Sequence, residues 1–293
     1  LKYSRSQNNL PSLSPDVSLS LTLLETTATI KDLSLRESRL DALRLTTPDS
    51  AYYVSCDLEA LLGTKSLFGD FTGILPRAVS KSISAEVYKD EPVKFWIITE
   101  LALTIEYAKS FSVFCSLPKE DQWRLAASSL SILSIISLAY DTIDKHSETT
   151  VFPDGKDAYS FLSTAACRRM FDAIFARLHR KPASILRSLR PSRIHIALLR
   201  AFYLFNPDVE GLTKQTVEIV AAERDRYVKA LTRLVFNEEG NSPSRLQELM
   251  MMLPTLYSVI KQCNDHVEIC TLVGYRPHPL NMDAILGMRQ VWL

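Results

Sequence analysis

Apolar residues return along most of this chain at spacings of three and four, the period of a helix with one covered face, and rarely in the strict alternation of a half-buried strand. Between Ser18 and Leu45 the positions Leu24, Ile30, Leu33, Leu40 and Leu43 stand on a mixed polar background and predict one amphipathic helix. Residues Thr46–Lys89 interrupt the period with Gly63, Gly69, Gly73 and Pro76, which predicts short helices within a long loop. Glu91-Pro92 opens the next helix, since proline fits a first turn and an acid suits the positive end of the dipole. Ile98, Leu101, Ile105 and Ala108 then give Pro92–Lys109 a single face. The run Ser116–Asp121 restarts a helix by the same logic and feeds Trp123–Tyr140, apolar nearly all round, as a helix covered on several sides must be.

Further on, Val151–Asp157 holds Pro153 and Gly155 and reads as a turn with the one strand-like piece. Helices are predicted over Ala158–His179, Ser192–Phe205, Thr213–Phe236 and Ser244–Val273. The stretch Phe205–Thr213 is a stop, a turn and a restart, with Thr213 as the N-cap. In the last helix Leu246, Leu249, Leu253, Leu256, Ile260, Cys263, Val267 and Cys270 alternate spacings of three and four, a seam suited to another long helix. Spacing leaves open whether that helix belongs to the same chain or to a second subunit. Leu249, Leu253, Leu256 and Ile260 are the candidate dimer positions, and Pro254 is expected to bend the helix.

Composition narrows the function. The chain of 293 residues is 46% hydrophobic, ample for a sizeable core. Residues 1–17, with Ser, Asn and two prolines, are expected to form a flexible leader before a single domain over 18–293. The start at Leu1 rather than Met suggests an excised piece, and no basic segment followed by an apolar run marks a signal peptide. The longest uncharged stretch, Leu125–Tyr140, is short of the roughly 20 residues that cross a bilayer, so no membrane partner is expected. Thirty-four basic residues against thirty-three acidic ones give no polyanion-binding charge. Five widely spread cysteines without a CxxC pair read as reduced thiols in or near a core.

A search for reaction chemistry returns little. GxSxG, Walker, GxGxxG and HExxH patterns are absent, and the five histidines are not at metal-ligand spacing, so neither a catalytic set nor a metal site nor a cofactor is assigned. One constellation offers an alternative: Asp141, Asp144 and Glu148 come after the apolar helix at spacings of three and four. In a helical chain of this length they resemble the aspartate-rich magnesium and diphosphate site of class I terpene synthases and prenyltransferases. Lys145 interrupts the set, and Asn264–Glu268 makes a poor second site; a solvated helix end accounts for the same residues.

A second resemblance covers far more of the chain. Glu106-Tyr107-Ala108-Lys109, then Phe111 or Phe114, Leu117 and Asp121-Gln122 resemble the signature of nuclear receptor ligand-binding domains. Leu204-Phe205-Asn206-Pro207-Asp208 with Gly211-Leu212 looks like the turn before that family's ninth helix, and Glu223–Tyr227 resembles the segment after that turn. Arg245–Pro254 resembles its tenth helix, and order and intervals agree from about Ser18 to Gly274. The long Thr46–Lys89 insertion looks more like the nematode receptors related to hepatocyte nuclear factor 4 than like steroid receptors. The resemblance implies an all-α, three-layer antiparallel helical sandwich of about 10–12 helices with at most a small β-turn or hairpin. It implies no enzyme but a regulatory domain in the nucleus, or in cytoplasm and nucleus. Such a domain recruits LxxLL-type coactivator or corepressor peptides and forms homo- or heterodimers. It meets DNA only through a separate zinc-finger domain that is absent from this chain.

Residue by residue, the resemblance implies that Lys109 caps the C-terminal carbonyls of a bound LxxLL helix, where the dipole is negative, with Gln122 flanking the groove and Ile105, Val113 and Leu125 as its floor. The opposing acid of the clamp, a glutamate in the family's C-terminal activation helix, would be Asp283, in a helix near 280–290. A small apolar ligand would be lined by Ile98, Leu101, Ala102, Ile135, Ile136, Met170, Cys263 and His266, though such residues also fill plain cores. Where fatty-acid and retinoid receptors place an arginine for a ligand carboxylate, this chain has Asp141 with no arginine near it in sequence, which argues against an anchored acid. A ligand-free dimerisation or repressor-recruiting module is the remaining alternative.

Overall fold

The computed structural model describes residues 15–44, 46–48, 58–68, 74–76, 92–149, 151, 180–238 and 243–272, with side chains over a narrower set that leaves out 15–22, 46–48, 60, 74–76, 92–99, 238, 253 and 263–272. Among these residues lie helices α1 (Pro15–Arg44), α2 (Leu58–Gly63), α3 (Pro92–Lys109), α4 (Ser112–Ser116), α5 (Lys119–Asp144), α6 (Lys181–Leu189), α7 (Arg193–Leu204), α8 (Lys214–Glu238) and α9 (Pro243–Leu272). Strands β1 (Thr46–Pro48) and β2 (Ile74–Pro76) pair antiparallel, Thr46 opposite Pro76.

Helices α3, α5, α7, α8 and α9 fall where hydrophobic period and end signals put them, within a few residues. Helix α1 begins at Pro15, inside the expected leader, and α9 runs through Pro254 without a break. The short α2 lies within the stretch Thr46–Lys89 expected to hold short helices, while α4 and α6 are not legible in sequence as separate helices, being too brief to show a period. The described strands stand within Thr46–Lys89; of the expected strand-like piece Val151–Asp157, Val151 makes a bridge, and the rest of that stretch, like the expected helix Ala158–His179, lies outside the described residues.

Helix α5 lies at the centre, with α2, α3, α6, α7 and α9 packed against it. Its residues Leu125, Leu130, Leu133 and Ile136 are fully buried, as its nearly uniform apolarity requires. It is long and apolar enough to cross a membrane by composition, but 72% of its apolar window is buried inside the protein. Beyond it, α1, α7 and α8 pack on one another, and α1 also packs on α3.

Helix α1 is polar for a packed helix, and charge holds it. Leu33, Leu40 and Leu43 are buried as expected, whereas Leu24 is 67% exposed although Thr26 and Thr29 on the same stretch are buried. Glu37, buried, accepts from Arg200 Nη1 on α7 at 3.1 and 3.2 Å. Arg36 reaches the Ser110 carbonyl and lies over the Phe111 ring, 4.4 Å from its centre.

Four aromatic rings close the centre of the fold. Phe111 meets Tyr107 edge-on at 5.1 Å, Phe205 at 5.3 Å and Tyr227 at 6.3 Å, while Phe205 and Tyr227 stack at 5.8 Å. They join the end of α3, the turn after it, the end of α7 and the middle of α8.

The turn after α7 is fixed by Asn206 Oδ1, which accepts from Asp208 N, and by Gly211 at φ +81°, where a Cβ would stand 2.9 Å from Arg124 Nε. Thr213 is the N-cap of α8, its hydroxyl accepting from Thr216 N. Asp121 of the signature ties this start to α5: it accepts from Thr213 Oγ1 at 2.8 Å, Thr216 Oγ1 at 2.5 Å and Thr213 N at 3.4 Å. Burial pushes its carboxyl up, but those hydrogen bonds and the nearby Arg124 outweigh burial and hold it below the ordinary range.

A depressed carboxyl stabilises the fold above the unfolded-state value of about 4 and loses that contribution as pH falls through the lower folded value. Asp121→Asn is therefore expected to lower the urea midpoint at pH 7 and to flatten its decline between about pH 4 and pH 2, compared with wild type. Parallel pH profiles of the two proteins would count against this role of Asp121.

Candidate functional site

Lys109 is the last residue of α3, one turn after Glu106. Its ammonium donates to Leu61 O at 3.0 Å, Thr64 Oγ1 at 2.8 Å and Glu106 Oε1 at 2.7 Å. The side chain is only 5% exposed. Lys109 therefore does not face solvent, and the physical reason is α2: the negative C-terminal end of this short helix rests on the ammonium. The second Glu106 oxygen accepts from Leu67 N at 2.7 Å, so the same pair also anchors the chain leaving α2.

The helix resting there has a telling sequence. Leu58-Glu59-Ala60-Leu61-Leu62 is itself a Leu-x-x-Leu-Leu segment; its three leucines are buried, Glu59 and Gly63 are exposed, and it packs on both α3 and α5. Burying three leucines supplies about 1.5–3 kcal/mol each before ordering costs. The segment falls inside the stretch expected to be loop and short helices; leucines at relative positions one, four and five are the signal that could have found it.

Gln122 is also turned inward. Its Nε2 donates to Leu117 O at 2.8 Å and Cys115 O at 3.1 Å, which satisfies the open carbonyls after α4 instead of flanking a groove. Ile105 and Leu125 are buried, and Val113 is half-buried against the core. Cys115, expected in or near a core, is exposed, with its thiol at 3.1 Å from Lys109 O. Asp283 lies outside the described residues.

Of the expected ligand-lining set, Leu101, Ala102, Ile135 and Ile136 are all buried in the core; Met170 and the side chains of Ile98, Cys263 and His266 lie outside the described residues. Asp141 at the end of α5 does have an arginine beside it, contrary to the expectation from sequence. Arg44, from the end of α1, donates to both Asp141 oxygens at 2.8 and 2.9 Å and also pairs with Glu100 of α3. Sequence separation hid the pair, since Arg44 and Asp141 are 97 residues apart. Burial alone would lower the Arg44 guanidinium, but Glu100 and Asp141 push it above its already high ordinary value, so it stays charged. Glu100 Oε2 and Arg44 Nε are buried without partners.

The carboxylates of the enzyme alternative do not converge. Asp141 is taken by Arg44, Asp144 is exposed, and Glu148, past the helix end, meets Arg187 at 3.4 Å. Among the described residues no group of three His, Cys, Asp or Glu could hold a metal.

The seam of α9 faces its own chain. Leu249, Leu256 and Ile260 are buried in the core, and α9 packs on α5, α6 and α8; the Leu253 side chain lies outside the described residues. These residues are corrected from dimer positions to core positions, because the centre of the bundle lies on that side. Met251 and Tyr257 are the large apolar residues that α9 exposes, 58% and 45%.

Lys109 and Glu106 form a buried pair, so removing one partner strands the other charge. Lys109→Met is expected to cost about 3–5 kcal/mol in urea unfolding, and Glu106→Gln with Lys109→Met to recover most of it. A single variant as stable as wild type would contradict the burial of the pair.

The comparisons with known proteins bear on the family and the fold. The family model for the ligand-binding domain of nuclear hormone receptor matches residues 89–273. Nuclear hormone receptor family member nhr-60 of Caenorhabditis elegans is 25% identical over 182 residues, 62% of this chain and 39% of the relative. The retinoic acid receptor RXR of Biomphalaria glabrata is 27% identical over 179 residues, 61% of this chain and 39% of the relative. The chain thus matches about two fifths of the length of these relatives. The solved ligand-binding domain of Ultraspiracle from Drosophila melanogaster shares the fold at a TM-score of 0.52 and 22% identity, covering 59% of this chain and 71% of that one. This chain belongs to the nuclear hormone receptor family, whose ligand-binding domain it carries, and that family consists of ligand-regulated transcription factors rather than enzymes.

Proposed function

We propose that this domain recruits coregulators through the surface between α3 and α5 headed by Lys109, as part of a nuclear transcription factor that meets DNA through a separate domain. The observation that carries the reading is the seat of α2: a Leu-x-x-Leu-Leu helix lies there with its leucines buried and its last-turn carbonyl on the Lys109 ammonium. A surface that receives this pattern from its own chain has the shape and charge to receive it from a partner. Asp283 is the acid proposed for the opposite helix end.

The ligand proposed is small, apolar and without a carboxylate. Asp141 stands where an anchoring arginine would be needed, and the guanidinium beside it is committed to two carboxylates. Leu101, Ala102, Ile135 and Ile136 supply apolar walls. Dimerisation, with a second copy or another receptor, is proposed through the outward side of α9, where Met251 and Tyr257 are exposed.

A labelled peptide of residues 55–66 supplies the test for the groove. In fluorescence anisotropy it is expected to bind a chain whose α2 seat is emptied by Leu61→Ala and Leu62→Ala, and adding Glu106→Gln with Lys109→Met to weaken that binding about tenfold or more, the worth of a charge-assisted hydrogen bond. Equal binding with and without those two added substitutions would remove the clamp. For the dimer, Met251→Glu with Tyr257→Glu is expected to shift the sedimenting species from dimer to monomer; an unchanged distribution would place the contact elsewhere.

A further inference from the structure

We propose that Leu58–Gly63 is a built-in occupant of the coregulator groove, an intramolecular mimic that must leave before a partner helix can enter. The inference rests on the groove reading above and adds its regulation.

Three observations carry it. The ammonium of Lys109 has three protons, and Leu61 O, Thr64 Oγ1 and Glu106 Oε1 take them all, at 3.0, 2.8 and 2.7 Å. No donor is left for the carbonyls of an incoming helix. The apolar seat is filled as well: Leu58, Leu61 and Leu62 are 1%, 3% and 8% exposed, while Glu59 between them points to solvent. Burial at positions one, four and five with an exposed acid at position two is the footprint of a docked amphipathic helix, not of a loop packed at random.

The third observation is how the segment is held. A helix of six residues has too few internal hydrogen bonds to persist by itself, so α2 is ordered by its seat and would melt on leaving. It leaves without going far. The β1–β2 pairing, Thr46 opposite Pro76 and Pro48 opposite Ile74, joins the chain before the segment to the chain after it and limits how far the segment can move from the groove. Leu67 N on Glu106 and the buried Phe68 form a second hold just past the helix.

Tethering turns a weak motif into an effective gate. A segment on so short a tether competes at an effective concentration on the order of 1 mM. If its untethered affinity is about 10 μM, the groove is open about 1% of the time, and the apparent Kd of any outside helix rises about a hundredfold. A stronger coregulator, or a ligand that shifts α3 or α5, would then set the output by displacing α2 rather than by binding an empty surface.

The test compares the wild-type chain with Leu61→Ala/Leu62→Ala, using the labelled peptide of residues 55–66 as probe. The variant is expected to bind the peptide at least tenfold more tightly, and a peptide with alanine at all three leucine positions to bind neither protein. Equal, measurable affinity for both proteins would overturn the gate and leave the groove standing. Absence of binding to both, with the variant folded by circular dichroism, would overturn the groove and the gate together. Amide hydrogen exchange on the wild-type chain decides the matter independently of the variant's folding. With saturating peptide, residues 58–63 are expected to lose protection while the end of α3 gains it; retained protection at 58–63 in the peptide-bound protein would overturn the gate.

Discussion

The junction of Tyr107, Phe111, Phe205 and Tyr227 is the constraint on which the rest of this domain depends. Four rings from the end of α3, the following turn, α7 and α8 meet within 5.1–6.3 Å. Arg36 covers one side of the group, and Arg200 lies 4.6 Å from the Tyr107 ring. Burial drives the Tyr107 hydroxyl well above its ordinary range, so it stays protonated beside Glu37 and Arg200. Because Tyr107 and Lys109 are two residues apart on the same last turn, the group that locks the core also sets where the ammonium points.

Around that junction the protein uses charge where it lacks apolar surface. Helix α1 is too polar to be held by leucines alone, and its Arg36, Glu37 and Arg44 each find a partner on another helix or the turn beside it. Buried ion pairs give modest net stability but punish misplacement strongly, since a stranded charge costs several kcal/mol. They fix the register of α1 against α3, α5 and α7. One of them, Arg44 with Asp141 and Glu100, also places a matched charge cluster at the end of α5.

The surface at Lys109 grows out of the same arrangement. A lysine at the end of a helix ordinarily reaches water, but here Glu106, Thr64 and the last carbonyl of α2 enclose it. The enclosing segment carries the leucine spacing of the partners that the surface would receive. On the proposed reading, recruitment and self-occupancy are two states of a single surface, separated by the melting of a six-residue helix.

Sequence by itself determined the helical class, the span of the five long helices from α3 onward and the family, because hydrophobic period and short ordered motifs are local properties. It also put Lys109 and Asp121 at helix ends where their chemistry matters. Tertiary structure alone decided the rest. Gln122 turns inward because α4 ends beside it, and Leu249, Leu256 and Ile260 face the core because the bundle lies on that side of α9. Asp141 has an arginine because α1 ends next to α5, and Leu58–Leu62 is a docked helix because Lys109 and two flanking helices wait for it. Each of these depends on residues tens of positions apart meeting in space, and a period read along one helix says which face is apolar but not which neighbour will cover it.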